Sequence, residues 1–140
     1  MDGPYGRFTP SASDNAKVLM IAGGIGITPF PPMLKTMVAE GRDIVLLYSA
    51  RTQGDLAMRR EIEALAASGK VRVVYIITNE PGYTGETGIL DQAKLARLVP
   101  DAKDRAAFIC GPPPMMAAVN GHLRALGTPK DQIHTENFSF

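Results

Sequence analysis

Five short strand-like segments, separated by stretches long enough for helices, constrain the fold of this chain more than any other feature. Residues 17–22 form a continuous apolar run that does not alternate apolar with polar residues, which is typical of a strand buried on both faces of a parallel sheet. Residues 44–48 predict a second buried strand, and residues 71–78 are rich in β-branched residues. Strands that alternate with helices favour a doubly wound α/β domain with helices on both faces. The predicted strands span residues 17–22, 44–48, 71–78, 106–110 and 132–136.

The segments between these strands carry apolar residues at helical spacing. The predicted helices span residues 33–40, 55–67, 90–98 and 115–126. The second is the clearest, with an apolar face made of Leu56, Met58, Ile62 and Leu65. Residues 79–88 are predicted to form a long loop, because they include three glycines and a proline.

Composition excludes several classes of protein. The 140 residues are 45% hydrophobic with a net charge of +1, which indicates one globular domain and no nucleic-acid partner. One cysteine cannot form an internal disulfide or a four-thiolate metal site, and we expect no metal. The apolar runs are far shorter than the roughly 18 residues of a membrane span. We therefore expect a cytoplasmic protein, or a domain on the cytoplasmic side of a membrane-bound parent.

A glycine-rich loop follows the first predicted strand, at residues 23–28. Such a loop can bring the backbone close to a pyrophosphate at the carboxyl edge of a parallel sheet. Thr28 is predicted to cap the next helix, with Pro29 at its first position. The dehydrogenase fingerprint G-x-G-x-x-G is not matched, because its third glycine falls at Pro29. By itself the loop fits either a nucleotide cradle or an ordinary tight turn.

Five segments share a family likeness, and they span nearly the whole chain. They read Gly-Pro-Tyr-Gly-Arg-Phe at 3–8, Ile-Ala-Gly-Gly-Ile-Gly-Ile-Thr-Pro at 21–29, Leu-Tyr-Ser-Ala-Arg at 47–51, Cys-Gly-Pro-Pro-Pro-Met-Met at 110–116 and Ile-His-Thr-Glu-Asn-Phe at 133–138. With these segments the chain resembles the NAD(P)H-binding domain of the ferredoxin–NADP reductase superfamily of flavoproteins. The resemblance implies a five-stranded parallel sheet of order 3-2-1-4-5.

The resemblance also implies a chemistry and a partner. Relatives of this kind pass a hydride from NADPH or NADH to a flavin (FAD or FMN) held by a separate N-terminal β-barrel. That barrel and its Arg-x-Tyr-Ser signature are missing from this sequence. Residues 1–140 are therefore expected to be the NAD(P)H-binding domain alone, without the FAD-binding domain.

The resemblance assigns the cofactor-binding residues by position. Gly23, Gly24, Gly26 and Thr28 match the loop that cradles the pyrophosphate and the nicotinamide ribose. Ser49 and Arg51 match the region that contacts the adenosine ribose. No acid lies at that strand end, and a guanidinium suits a 2′-phosphate, which slightly favours NADP over NAD. An exposed Arg51 with no ligand is the alternative.

Two residues are candidates for the reacting end of the cofactor. Cys110 matches the small side chain beside the reactive nicotinamide carbon, and Gly111 and Pro112 continue that cofactor-binding segment. The alternatives are an inert core cysteine or a catalytic nucleophile. Glu136 matches an acid near the nicotinamide, and Phe138 matches an aromatic residue near the flavin ring. A frayed tail is the alternative for both.

Three functional hypotheses follow. The first is half of an electron-transfer oxidoreductase, whose final acceptor would be ferredoxin, an iron–sulfur protein or a haem. The second is a stand-alone nucleotide-binding or sensing module without redox chemistry. The third, a cysteine-dependent hydrolase, lacks the required motif.

Overall fold

Six parallel strands form one sheet in this computed structural model, which describes residues 13–136. The strands are β1 (Lys17–Gly23), β2 (Asp43–Ala50), β3 (Val71–Ile77), β4 (Glu86–Thr87), β5 (Ala106–Cys110) and β6 (Ile133–Glu136). Their order is β4-β3-β2-β1-β5-β6. The α/β class and the relative order of the five expected strands are confirmed, but the expected number of strands is wrong by one.

The additional strand, β4, lies inside the segment predicted to be a loop. It consists of two residues, Glu86 and Thr87, which pair with Ile76 and Ile77 of β3. Two residues are too few to show a periodic pattern, so the glycines around them dominated the sequence signal. β4 forms one edge of the sheet and β6 the other.

In the part of the chain that the structure describes, four α-helices cover the sheet: α1 (Phe30–Ala39), α2 (Arg59–Ala67), α3 (Gln92–Leu98) and α4 (Pro113–Ala125). α1 begins three residues earlier than predicted, and Pro31 and Pro32 lie in its first turn. Proline is tolerated there because the first N–H groups of a helix have no acceptor within the helix. Pro29 is the N-cap, while Thr28 ends a preceding 3₁₀ turn over Gly24–Ile27, so the predicted Thr28 cap is wrong.

The start of α2 also differs from the prediction. Residues 53–55 form a separate 3₁₀ turn, and the helix proper begins only at Arg59. Met58 has a φ of 61° and is 41% exposed, so it does not belong to the apolar face. Ile62 is completely buried and carries that face into the core.

The hydrophobic core has two layers, one on each face of the sheet. The layer beneath α1 and α2 includes Phe30, Tyr48 and Phe108, and the opposite layer includes Leu95 of α3 and Leu123 of α4. β1 and β5 are central, and nearly all their side chains are fully buried, which explains their continuous apolar sequences.

A buried arginine ties together the amino ends of the central strands. Arg105 donates hydrogen bonds to the backbone oxygen of Val18, to the backbone and carboxylate oxygens of Asp43, and to the carboxylate of Asp101, at 2.9 to 3.0 Å. Its charge is thus fully paired although its side chain is only 7% exposed. This contact fixes the edge of the sheet opposite to the one where the candidate site lies.

Candidate functional site at the carboxyl edge of the sheet

The order of the strands creates a switch point at the carboxyl end of β1. The chain passes from β1 to β2 on one side, whereas β5 lies on the other side of β1. The last residues of the two central strands are in register, with Ala22 opposite Cys110. Open α/β sheets bind their ligands in the crevice at such a point.

A cleft of about 270 Å³ lies at this switch point. It is lined by Gly23, Gly24, Ile25, Gly26, Gly111, Pro112 and Pro113. The lining is therefore mostly backbone and proline rings, without charged side chains. A loop of glycines lets the backbone come close to a phosphate-containing ligand.

Two glycines shape this cleft in different ways. A Cβ at Gly26 would overlap the carbonyl oxygen of Cys110 and lie 2.5 Å from its carbon, so only glycine lets the loop pack against β5. Gly24 has a φ of +56°, and the place of its missing Cβ is open space. The loop is thus fixed against β5 at Gly26 and open for a ligand at Gly24.

A second cleft, of about 320 Å³, lies between the ends of β2 and β3 and the start of α4. It is lined by Ser49, Thr78, Ile89, Leu90, Pro114, Met115, Ala118 and Val119. Ile89 is 80% exposed at its rim, an unusual position for a large apolar side chain. A mainly apolar slot with a hydroxyl at its edge suits a flat aromatic ring attached to a polar group.

A third cleft, of about 330 Å³, lies on the other side of the glycine loop. It is lined by Gly24, Ile25, Ala50, Arg51, Asp55 and Ala57. The carboxylate of Asp55 accepts a hydrogen bond of 3.0 Å from the Thr52 hydroxyl. Asp55 could not be placed at this cleft from the sequence, because its position depends on the turn that follows β2 and no acid lies at the strand end itself.

The turn after β2 is hydrogen-bonded to the segment that follows β3. The backbone N–H and the side-chain amide of Gln53 donate to the two carboxylate oxygens of Glu80, at 2.8 and 2.6 Å. These bonds, the backbone one first, lower the pKa of Glu80. The N–H of Asn79 also donates to the carbonyl oxygen of Arg51, at 2.8 Å. The backbone that carries Arg51 and Asp55 is therefore attached to the segment after β3.

Cys110 lies at the carboxyl end of β5, opposite Glu136 of β6. Its side chain is fully buried in the core layer beneath α1 and α2. Burial, with a smaller contribution from the charge of Glu136, raises the pKa of the Cys110 thiol to about 12. The group is therefore a neutral thiol at ordinary pH and is unsuited to act as a nucleophile. Glu136 is half-buried.

The predicted site residues fall into three groups. Gly23, Gly24, Gly26, Gly111 and Pro112 line the first cleft, Ser49 lines the second, and Arg51 lines the third. Thr28 is exposed after the glycine loop and lines none of these clefts, and neither do Cys110 and Glu136 at the ends of β5 and β6. Phe138 and the segment 3–8 lie outside the described residues.

Over residues 13–136, none of the helices has the length and apolar character that crossing a bilayer requires.

Comparison with known proteins gives a family and several relatives. Residues 20–121 match the family described as the oxidoreductase NAD-binding domain. The chain is 31% identical to NADH-cytochrome b5 reductase 1 of Cryptococcus neoformans, over 91% of this chain and 48% of that protein. It is 37% identical to the ferredoxin reductase component of 3-ketosteroid-9-alpha-monooxygenase of Mycolicibacterium smegmatis, over 96% of this chain and 37% of that protein.

Solved structures of reductases also superpose on this chain. The cytochrome b5 reductase domain of Ulva prolifera nitrate reductase superposes with a TM-score of 0.75 and 31% identity, over 90% of this chain and 51% of that one. The cytochrome P450 reductase GcoB of Amycolatopsis has the same fold, with a TM-score of 0.81 and 24% identity, over 92% of this chain and 39% of that one. The chain spans about half or less of the length of the relatives it matches.

Proposed function

Since this chain belongs to the oxidoreductase NAD-binding domain family, we propose that it binds NAD(P)H and presents the nicotinamide to a flavin on a partner domain. The resemblance to the ferredoxin–NADP reductase superfamily is confirmed. The observation that carries the proposal is the cleft at the switch point, where the glycine loop and the segment after β5 face each other.

The three clefts suit the parts of a dinucleotide. The first, with its lining of backbone and proline, suits the pyrophosphate and the nicotinamide ribose. The second, apolar with Ser49 at its margin, suits the adenine, and the third, with Arg51 and Asp55, suits the adenosine ribose. Gly24 and Ile25 line the first and third clefts, which are therefore adjacent. The site thus has room for a dinucleotide laid along the carboxyl edge.

The residues at the reacting end have positioning roles in this proposal. A bound NAD(P)H would supply a hydride for the flavin of the partner domain. Cys110 and Glu136 end neighbouring strands in register, so both lie at the carboxyl edge of the sheet. As a neutral thiol, Cys110 would contribute shape and polarity and no covalent bond. Hydride transfer is sensitive to such positioning, because errors of about 1 Å can cost about a hundredfold in rate.

The choice between NAD and NADP depends on Arg51 and Asp55, which line one cleft. A guanidinium attracts a 2′-phosphate, whereas a carboxylate accepts hydrogen bonds from ribose hydroxyls and repels a phosphate. Asp55 therefore opposes the preference for NADP that Arg51 alone suggests. We propose that the ribose meets both groups and that Asp55 shifts the balance toward NAD.

The remaining parts of the proposal concern the parent protein. A flavin-binding domain, with FAD or FMN, would complete the enzyme, and a ferredoxin, an iron–sulfur protein or a haem would receive the electrons. The relatives include a cytochrome b5 reductase and an oxygenase reductase component, which support this class of acceptor. A cytoplasmic location stays a prediction.

A charge placed in the glycine loop tests the proposal. Ile25 is 61% exposed and lines the first and third clefts, so Ile25→Glu should fold normally while its carboxylate repels the pyrophosphate. We expect NADH affinity, measured by calorimetry, to fall by about tenfold or more. Ala64→Glu adds the same charge on the exposed side of α2 and is the matched control. Equal affinities in the two variants would contradict the proposed site.

A further inference from the structure

The strand β4 is too short to hold its place through the sheet alone. Its two residues have two register partners on β3, and no other strand within residues 13–136 pairs with its outer side. The connection from β3 to β4, residues 78–85, has no helix to pack against the sheet. Parallel strands are normally joined by a packed helix, so another contact must hold this one.

That contact comes from α3. Arg97 donates two hydrogen bonds to the carboxylate of Glu86, at 2.8 and 2.6 Å, in a forked arrangement. The ammonium group of Lys94 donates to the backbone oxygen of Thr87. Both side chains extend from a helix whose Leu95 and Leu98 are buried in the core. The two residues of β4 are therefore held by a helix that is itself firmly packed.

The residues that follow β4 in the chain form a wall of the second cleft. Gly88, with a φ of +81°, turns the chain after β4, and Ile89 and Leu90 come next. Leu90 is 6% exposed, whereas Ile89 is 80% exposed at the rim of the cleft. Only Gly88 separates Thr87 from Ile89, so a displacement of β4 would move this wall of the cleft.

We propose that the pair Arg97–Glu86, assisted by Lys94, is a positioning device that holds Ile89 against the adenosine end of a bound dinucleotide. This inference rests on the proposed function, because it assumes that the second cleft takes the adenine of the adenosine. Arg97 and Glu86 are positioning residues and do not touch the ligand themselves.

Because the Arg97–Glu86 pair is exposed, its effect on ligand affinity can be distinguished from an effect on the stability of the fold. The side chain of Arg97 is 58% exposed, and exposed ion pairs contribute little to the stability of a fold. Loss of the pair should therefore leave thermal unfolding nearly unchanged while it loosens the wall of the cleft. A merely structural role predicts the opposite: lower stability and unchanged affinity in the molecules that remain folded.

The test measures binding of ADP-ribose to this chain by calorimetry, together with its melting temperature. Arg97→Met should weaken binding about threefold to tenfold, with little change in melting temperature. Arg59→Met is the matched control, because it removes a guanidinium from another exposed Arg–Glu pair, at 2.9 Å, on α2. The reversed pair, Glu86→Arg with Arg97→Glu, should restore affinity to within about twofold of wild type.

The outcomes separate the two proposals. Wild-type binding with the same affinity in Arg97→Met would overturn the positioning role and leave the proposed function intact. Equal losses in Arg97→Met and Arg59→Met would also overturn it, because the effect would then come from net charge. A wild-type chain that binds neither ADP-ribose nor NADH would overturn the proposed function and this inference together.

Discussion

Cys110 shows how one residue's environment limits its chemistry. Its thiol is fully buried, and its pKa of about 12 means that almost none of it is thiolate near pH 8. We predict that the folded chain resists a chromogenic disulfide reagent at pH 8 and reacts fully in denaturant. Because Cys110 is the sole cysteine, the released chromophore reports it alone. Rapid labelling of the native chain would contradict the burial and favour a reactive nucleophile.

Substitutions of Arg51 and of Asp55 are expected to change the affinity for NADP in opposite directions. A charge-assisted hydrogen bond is worth roughly 1.5–3 kcal/mol, so Arg51→Ala should weaken NADP binding by about tenfold or more and barely affect NAD. Asp55→Asn should strengthen NADP binding, because it removes a carboxylate from the same cleft. Calorimetry with both nucleotides checks the pair. If neither variant changed the NAD-to-NADP ratio, the third cleft would not be the site of discrimination.

At the scale of elements, the amino ends of β1 and β2 are joined through Arg105. Its hydrogen bond is the main cause that lowers the pKa of Asp101 to about 2, and Lys17 adds a smaller effect. The carboxylate has a lower pKa folded than unfolded, so its stabilisation is present above about pH 4 and lost as the pH falls through 2.

The resulting prediction compares wild type with Asp101→Asn. Asp101 is about one-third exposed, so solvent screening reduces its contribution to about 1 kcal/mol. We expect the free energy of unfolding in urea to be higher for wild type at pH 6 by that amount, with the difference vanishing near pH 2. A difference that did not change with pH would contradict the ion pair. Asp14→Asn, an exposed acid before β1, is the control.

The elements that the sequence predicts well are those with a long, uniform pattern. β1 and β5 are buried on both faces, so their apolar runs alone locate them to within a residue. The beginnings of α1 and α2 were missed because prolines and a left-handed Met58 lie at those boundaries. Tertiary contacts decide such boundaries, and β4 depends on contacts from α3 in the same way.

At the scale of the molecule, the candidate site combines motif residues with residues that no motif contains. The glycine loop and the segment after β5 were predictable from the sequence. At the place where β1 and β5 end together, a Cβ at Gly26 or Gly111 would overlap neighbouring atoms, and glycine is required at position 26 because those atoms belong to the backbone. Asp55 and Ile89 could not be predicted as site residues. Their positions depend on turns that are held by hydrogen bonds to Glu80 and from Arg97. Sequence motifs thus located the centre of the site, and only the fold located its walls.

The central claim is that a dinucleotide lies along the carboxyl edge of the sheet. Titration of the ¹⁵N-labelled chain with NAD⁺, followed by amide chemical shifts, tests it most directly. The account predicts saturable shifts at residues 23–26, 49–55, 89–90 and 110–111, with no coherent change near Arg105 at the opposite edge. A larger groove, of about 680 Å³, lies between α4 and β6 and is lined by residues that include Asn120, Arg124 and Ile133. Shifts confined to that groove, or no shifts at millimolar nucleotide, would contradict the account.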